Sequence, residues 1–515
     1  MSEVEVNLSL LAPAPKRIEE DVLVGKDILD LLAGSMYVDP LNVYREYVQN
    51  SADSIDEARA EGIEFRPRVD IAFDHADRTV RIRDNGISIP TKDFVKRLVT
   101  VGASQKRGKR LRGFRGVGRL SGLGFCQELY FRGRAEGDKK VTEIRWDGKA
   151  LKQLIRQPDF HGGLQDIVSE VVTVRRLPID GYPERFFEVE LRKVLRLKND
   201  LLLNEEAVRH YLAQVAPVPS HEHFPFASEL SDSLSKFGIS PPVDIFMPGD
   251  ETPIRRLLGR SVSDKPDFSD DLSDMELLEL RGVDGEVAAV GWIANHSYSG
   301  ALAKQSGLGG LRLRSGNIQV GDADLAADLF PESRFCSWTV GEIHVISPKI
   351  LPNGRRDDFE PSVHYAHLQG EIALLAKRVV QKIRDNSVNR NRKKAVQSEI
   401  SKVDEWLSEG MQQSVPRMIL VAVQELARES LERAEEEVYK IANATTLTDR
   451  LTDLRLQVDG LSGRGSRKAA AKTSQSGLEE PMVAAIKAIL SHSKSASKGI
   501  TLSSDVLRAF EAALY

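Results

Sequence analysis

The reading of this chain turns on Glu46-Tyr47-Val48-Gln49-Asn50-Ser51-Ala52-Asp53. At 3.6 residues per turn, Glu46, Asn50 and Asp53 share one helical stripe, while Tyr44, Val48 and Ile55 lie on the opposite face. A carboxylate and a carboxamide one turn apart can serve one ligand. The carboxylate can take a proton from water, and the amide oxygen can hold a hard cation such as Mg²⁺. A solvated polar face has the same pattern, so the stripe takes its meaning from the motifs downstream of it.

Two alternating runs come next, Val69 to Phe73 and Val80 to Arg83, separated by polar Asp74 to Arg78, which is a hairpin signature. The second run leads into Asp84-Asn85-Gly86, and the period of two puts Asp84 on the face of Val80 and Ile82. A carboxylate on that core-facing side needs a partner, and an adenine amino group is a suitable donor. Gly86 is expected to turn the backbone with positive φ and to let a flat ring approach; a plain Asp-Asn-Gly hairpin turn is the alternative. The third motif is Gly113-Phe114-Arg115-Gly116-Val117-Gly118, ahead of an apolar stretch. Its glycines fit backbone amides wrapping phosphates at a helix start. A basic run of Lys106, Arg107, Lys109, Arg110 and Arg112 precedes it.

With these three motifs in this order, residues 25–195 resemble the GHKL ATPases, the family of gyrase, heat-shock-protein-90 chaperones, MutL proteins and histidine kinases. The resemblance implies a Bergerat-type α/β sandwich, ATP and Mg²⁺ as ligands, and ATP hydrolysis. It implies that Glu46 activates the attacking water, Asn50 binds the metal, and Asp84 contacts adenine beside Gly86. Asp53, Lys106, Gly113, Gly116, Val117 and Gly118 complete the expected nucleotide contacts. Thr173, in Val172-Thr173-Val174, resembles the threonine that helps hold adenine, although a surface strand threonine reads equally well.

A second resemblance favours the chaperone branch. Gly310 to Val320, then Gly341 to Val345, then Leu351-Pro352-Asn353-Gly354-Arg355-Arg356-Asp357-Asp358-Phe359-Glu360 run in an order similar to the chaperones' middle domain. There an arginine is presented to the γ-phosphate, where a planar guanidinium can clamp a transferring phosphoryl group. Arg356 is the first choice and Arg355 the second; a turn pairing both with Asp357 and Asp358 is the alternative. Because the arginine lies on another domain, it is expected to reach the phosphate only when the domains close.

Around these motifs the fold class is α+β. The expected segments are an arm at 1–26, an ATP-binding domain at 27–225, a middle domain at 226–385, a helical region at 386–459, a flexible linker at 460–477 and a helical tail at 478–515. Leu420, Val423, Ala427, Leu431, Ala434, Val438 and Ile441 recur at helical spacing and mark a packing seam, within the chain or in a homodimer.

Of 515 residues, 41% are hydrophobic and 29% charged, the balance of a globular protein. A net charge of −4 argues against a surface that coats nucleic acid. Two cysteines cannot build a disulfide framework. No apolar run reaches the ~20 residues of a membrane span, so a cytoplasmic protein is expected, with no membrane partner. The leading functional expectation is an ATP-driven clamp acting on protein partners. The alternatives are a nucleic-acid clamp of MutL or microrchidia type, served by basic residues such as Arg390 and Arg392, and a nucleotide-gated scaffold in a bacterial defence or stress system.

Overall fold

The structure, a computed structural model, describes residues 39–100, 118–157, 164–263, 270–410, 415–441, 444–461 and 479–514. The chain is α+β, with two mixed sheets followed by a helical C-terminal region. It divides into two compact units, Met1–Lys377 and Arg378–Tyr515.

The first unit begins with α1 (Asn42–Ala60). The Asp39 side chain takes the N–H of Leu41 as the chain enters the helix. A Schellman motif ends it: Ile63 donates to Ala58, Gly62 donates to Arg59, and Gly62 adopts φ 73°. Strands β1 (Arg68–Asp74) and β2 (Thr79–Asp84) form the expected hairpin, with Ile71 opposite Ile82. After α2 (Thr91–Val99) come β3 (Glu128–Arg134) and β4 (Val141–Asp147). Helices α3 (Gly148–Arg156) and α4 (Leu164–Val171) lead to β5 (Val172–Leu177) and β6 (Phe186–Arg192). Helices α5 (Glu205–Val215) and α6 (Ala227–Lys236) then precede β7 (Asp244–Phe246). The first sheet has the order β5-β4-β3-β6-β2-β1-β7, so it draws in a strand from beyond residue 225, in the segment expected to be the middle domain.

One face of this sheet is apolar. Val80, Ile82, Phe131, Val189 and Leu191 join Tyr44, Tyr47, Val48 and Ile55 of α1 in a single core. The other face carries charge at every second residue. Arg132 stands directly opposite Glu143 and Glu188, and Arg81 opposite Glu190. The Arg132 guanidinium lies 2.8 Å from Glu143, 2.8 Å from Glu188 and 2.9 Å from Glu190. Opposite charges directly across a strand pair stabilise the sheet, here with little water to screen them.

The second sheet, also in the first unit, has the order β11-β10-β12-β9-β8. Its strands are β8 (Asp274–Arg281), β9 (Val287–Asn295), β10 (Gly310–Ser315), β11 (Ile318–Val320) and β12 (Val340–Val345). Gly316 and Asn317 join β10 to β11, both at positive φ as a two-residue hairpin turn requires.

Helix α7 (Val363–Gly410) runs well past residue 385, where the middle domain is expected to end. The second unit is built from its C-terminal half with α8 (Arg417–Val438), α9 (Thr445–Gly460), α10 (Glu479–His492) and α11 (Ala496–Leu514). Its core contains Val403, Val423, Ala427, Leu431, Leu454 and Ile486. The α8 seam is therefore covered inside the chain. Most of the 460–477 linker lies outside the described residues. Among the described residues, no helix is long and apolar enough to cross a membrane.

Burial works against ionisation of Glu190, but Arg132 and Arg192 outweigh it and bring its pKa down to about 2. A carboxyl depressed in the folded state adds stability above its ordinary value of ~4.3, and that stability is lost as pH falls toward the folded value. Urea unfolding should therefore show stability dropping between pH 4.5 and about 2, with a shallower drop in Glu190→Gln. Arg132→Ala strands the buried Glu143 and leaves Glu188 and Glu190 to Arg81, Arg83 and Arg192, and should cost ~3–5 kcal/mol at neutral pH.

Candidate functional site

Helix α1 is buried nearly all round. Glu46 is 6% exposed and Asp53 is 1% exposed, so the polar stripe is not the solvated face its sequence allowed. Asn50, between them, is half-buried. Tyr47 fixes the helix to the turn Gly118–Gly124: its hydroxyl donates to Arg119 O at 3.1 Å and accepts from Gly122 N at 3.0 Å. A Cβ on Gly122 would come within 2.5 Å of that hydroxyl. The segment starting at Gly118 is a 3₁₀ helix, not the α-helix start expected there. Lys106, Gly113, Gly116 and Val117 lie outside the described residues.

Asp84 ends β2 on the buried face of Val80 and Ile82 and is 2% exposed. Its Oδ1 accepts the N–H of Gly86 at 3.0 Å. The reason for glycine at 86 differs from the expectation: Gly86 is not among the positive-φ residues. It is glycine because α1 passes against it. An added Cβ would lie 2.3 Å from Ser54 Oγ, 2.5 Å from Ser54 C and 2.7 Å from Ile55 N. The next residue, Ile87, donates to Ser54 O at 3.0 Å. The Asp84–Gly86 corner is thereby seated on α1 just beyond Asp53.

The opposite end of the stripe meets the second sheet. Arg356, in the loop after β12, is 6% exposed and places Nε 3.6 Å from Glu46 Oε1. Arg355 is exposed, so the two adjacent arginines are not equivalent. Asp357 accepts from Asn353 Nδ2 at 2.6 Å and Asp358 from Tyr365 Oη at 2.7 Å. Arg356 has φ 57°, a left-handed conformation that costs a non-glycine residue ~1–2 kcal/mol. Gly321 N donates to Arg356 O at 2.8 Å and helps hold that conformation. Arg45 supplies the other fastening: it donates to Arg355 O at 3.0 Å and Arg356 O at 3.4 Å. Sequence reasoning passed over Arg45, whose only signal was a charged residue next to Glu46 on a helix otherwise lined with apolar groups. The arginine expected to arrive on domain closure is already against Glu46 in this structure.

Thr173 does not join the site. It is exposed on β5, the edge strand. Four strand spacings separate β5 from β2, ~19 Å at 4.8 Å each. The strand beside β2 is β6, which puts Phe187 opposite Asp84. No adenine contact is assigned to Thr173.

No family model matches the chain. Among curated proteins, the chaperone protein HtpG of Klebsiella pneumoniae is 28% identical over 142 residues, 24% of this chain and 23% of its own length. HtpG of Treponema denticola is 26% identical over 163 residues, 28% of this chain and 26% of its own. HtpG of Burkholderia ambifaria is 30% identical over 142 residues, 24% of this chain and 22% of its own. The chain is related to the HtpG chaperones. These HtpG matches span about a quarter of the relatives' length.

Gly86→Ala should show whether the corner is as tight as its contacts. Placing a methyl group against the α1 backbone forces a shift of helix or strand, and overpacking of this kind costs ~1–3 kcal/mol. Thermal unfolding should register that loss. A variant as stable as the parent would mean that α1 and the corner are not in contact.

Proposed function

We propose that this chain binds ATP along the Glu46–Asn50–Asp53 stripe and hydrolyses it, in an ATP-driven clamp of the HtpG type that acts on protein partners. The observation that carries the reading is a buried polar stripe with a recognition corner at one end and an arginine at the other. Glu46 and Ser54 are eight residues apart, ~12 Å along a helix at 1.5 Å per residue, enough to separate a base site from a terminal phosphate. Residues 27–225 are assigned to a Bergerat-type nucleotide domain and 226–385 to a middle domain of the chaperone type. The relation to HtpG over about a quarter of the chain supports this chaperone-type reading.

The residues present suit the ligand. Glu46 Oε1 and Gln49 Oε1 are buried acceptors without a hydrogen-bond partner among the described residues. At the corner, Asp84 accepts the adenine amino group, next to the Gly86 amide. Asn50 is the residue to hold Mg²⁺, which supplies charge neutralisation on the phosphates when bound. Glu46 orients water and takes its proton. Arg356 begins beside Glu46 and turns to the terminal phosphate, where a cation acts mainly on charge that develops in the transition state. That movement frees Glu46 for water, so one arginine both restrains the base and assists the transfer. Since Arg356 belongs to the second sheet's loop, nucleotide state is read directly by that sheet, which makes hydrolysis a step in a conformational cycle. A homodimer is proposed on the HtpG relation alone.

Three substitutions separate these roles. Asp84→Asn should abolish ATP binding in calorimetry, since the amide presents a donor where an acceptor is needed. Glu46→Ala should retain ATP and slow steady-state hydrolysis by roughly 10²–10⁴-fold. Arg356→Ala should leave ATP affinity nearly unchanged and reduce turnover. Unchanged affinity in Asp84→Asn would remove the proposed site.

A further inference from the structure

A second cluster of buried charge lies away from the stripe, where α5 meets the second sheet. Arg314 is 0% exposed and sets its NH2 2.6 Å from Glu342 Oε1, while Arg256 NH1 lies 3.7 Å from the same oxygen. Arg312 adds a third buried guanidinium and donates to Gln319 Oε1, Gln214 Oε1 and Gly307 O. Arg256 and Arg314 also donate to Gln214 O, at 2.8 Å and 2.6 Å, at the C-terminal end of α5. Part of the cluster's task is therefore structural: it caps a helix end whose carbonyls carry negative partial charge.

The charges do not balance. Three guanidiniums face a single carboxylate, and a helix C-terminus contributes only about half a negative charge. Burial, with the neighbouring guanidiniums, pulls Arg256 down to about 9 and Arg312 to about 10. Burial works to raise the Glu342 carboxyl, but Arg256 and Arg314 outweigh it and hold it well below the usual carboxylate range. The cluster thus retains an excess of positive charge with little exposure to water.

Next to it is a cavity of about 150 Å³, far more than the ~10–15 Å³ that one water needs by the same measure. Arg256, Arg312 and Arg314, with Glu342 among them, form one wall; Leu230 and Leu234 of α6 with Trp292 of β9 form an apolar one. Three side chains on its lining have buried nitrogens without a hydrogen-bond partner among the described residues: Arg314 at Nε, Trp292 at Nε1 and His344 at its ring nitrogens. Arg314 and Trp292 only donate, and a buried unsatisfied donor costs ~1–3 kcal/mol. What they lack is an acceptor.

We infer that this cavity binds a small organic anion, a carboxylate carrying a hydrocarbon or aryl body, with the carboxylate at Arg314 Nε and Trp292 Nε1 and the body against Leu230 and Leu234. Excess positive charge and unpartnered donors select the anion. The apolar wall selects a body that inorganic phosphate does not have. The site is separate from the Glu46 stripe and does not depend on nucleotide binding there.

Benzoate and inorganic phosphate serve as probes, titrated into the full chain by calorimetry without nucleotide. Benzoate should bind saturably, and phosphate should bind more weakly. Trp292→Phe keeps the aromatic body but removes the donor, and should weaken benzoate by roughly tenfold, the worth of one hydrogen bond to a charged group. Leu234→Trp fills the cavity from α6 without touching the charges and should abolish binding. A loss in either variant that keeps the parent's unfolding transition supports the site. Absence of benzoate binding to the parent, equal affinity in both folded variants, or phosphate binding more tightly than benzoate would each overturn it.

Discussion

The contact between Glu46 and Arg356 is what the rest of the first unit is arranged around. A carboxylate at 6% exposure in an apolar helix environment is costly unless a cation accompanies it. The chain brings that cation from a loop more than three hundred positions later in sequence, by way of the second sheet. Arg45 then reaches from the same helix to the carbonyls of Arg355 and Arg356, so α1 grips the loop at backbone and side chain together. A helix that already forms the floor of the first sheet's core thereby becomes the joint between two sheets. This is also why a change at the Glu46 end of the stripe can be transmitted: the second sheet's loop holds Arg356 against it in a strained conformation.

Two strategies for buried charge coexist in the molecule. On the outer face of the first sheet, arginines and glutamates alternate in register, so that Arg132 is matched by Glu143, Glu188 and Glu190. That ladder is balanced and structural. At the end of α5 the balance fails: Arg256, Arg312 and Arg314 surround Glu342 alone, beside an open volume. Matched pairs stabilise a fold, whereas an unmatched excess at a cavity has the chemistry of recognition.

Legibility in the sequence depends on which features are local. The hairpin and the inward parity of Asp84 depend only on the two-residue period of a strand, and both were legible from Val69 to Asp84. The helical stripe was legible as geometry but not as environment, because the burial of Glu46 is imposed by a loop far away in the chain. The sequence ranks Arg356 ahead of Arg355, but the burial and positive φ that set Arg356 apart in the fold are announced by no side-chain pattern. Gly86 was singled out for the wrong physical reason, since the approach of the α1 backbone is a tertiary fact. Of the two readings open for Thr173 the surface-strand one fits the fold, because sequence order does not give strand order: β6, not β5, lies beside β2.

The most direct test of this account is a double-mutant cycle on stability, measured by chemical unfolding without nucleotide, with Arg356→Ala, Glu46→Gln and the two combined. If the buried pair joins α1 to the second sheet, removing Arg356 leaves Glu46 only Arg45, at 4.0 Å, and is costly. The same removal should cost much less once Glu46 is neutral, giving a coupling energy of ~1–3 kcal/mol. Two single costs that add to within about 0.5 kcal/mol would show that the residues do not act on each other, and would contradict the joint on which the account rests.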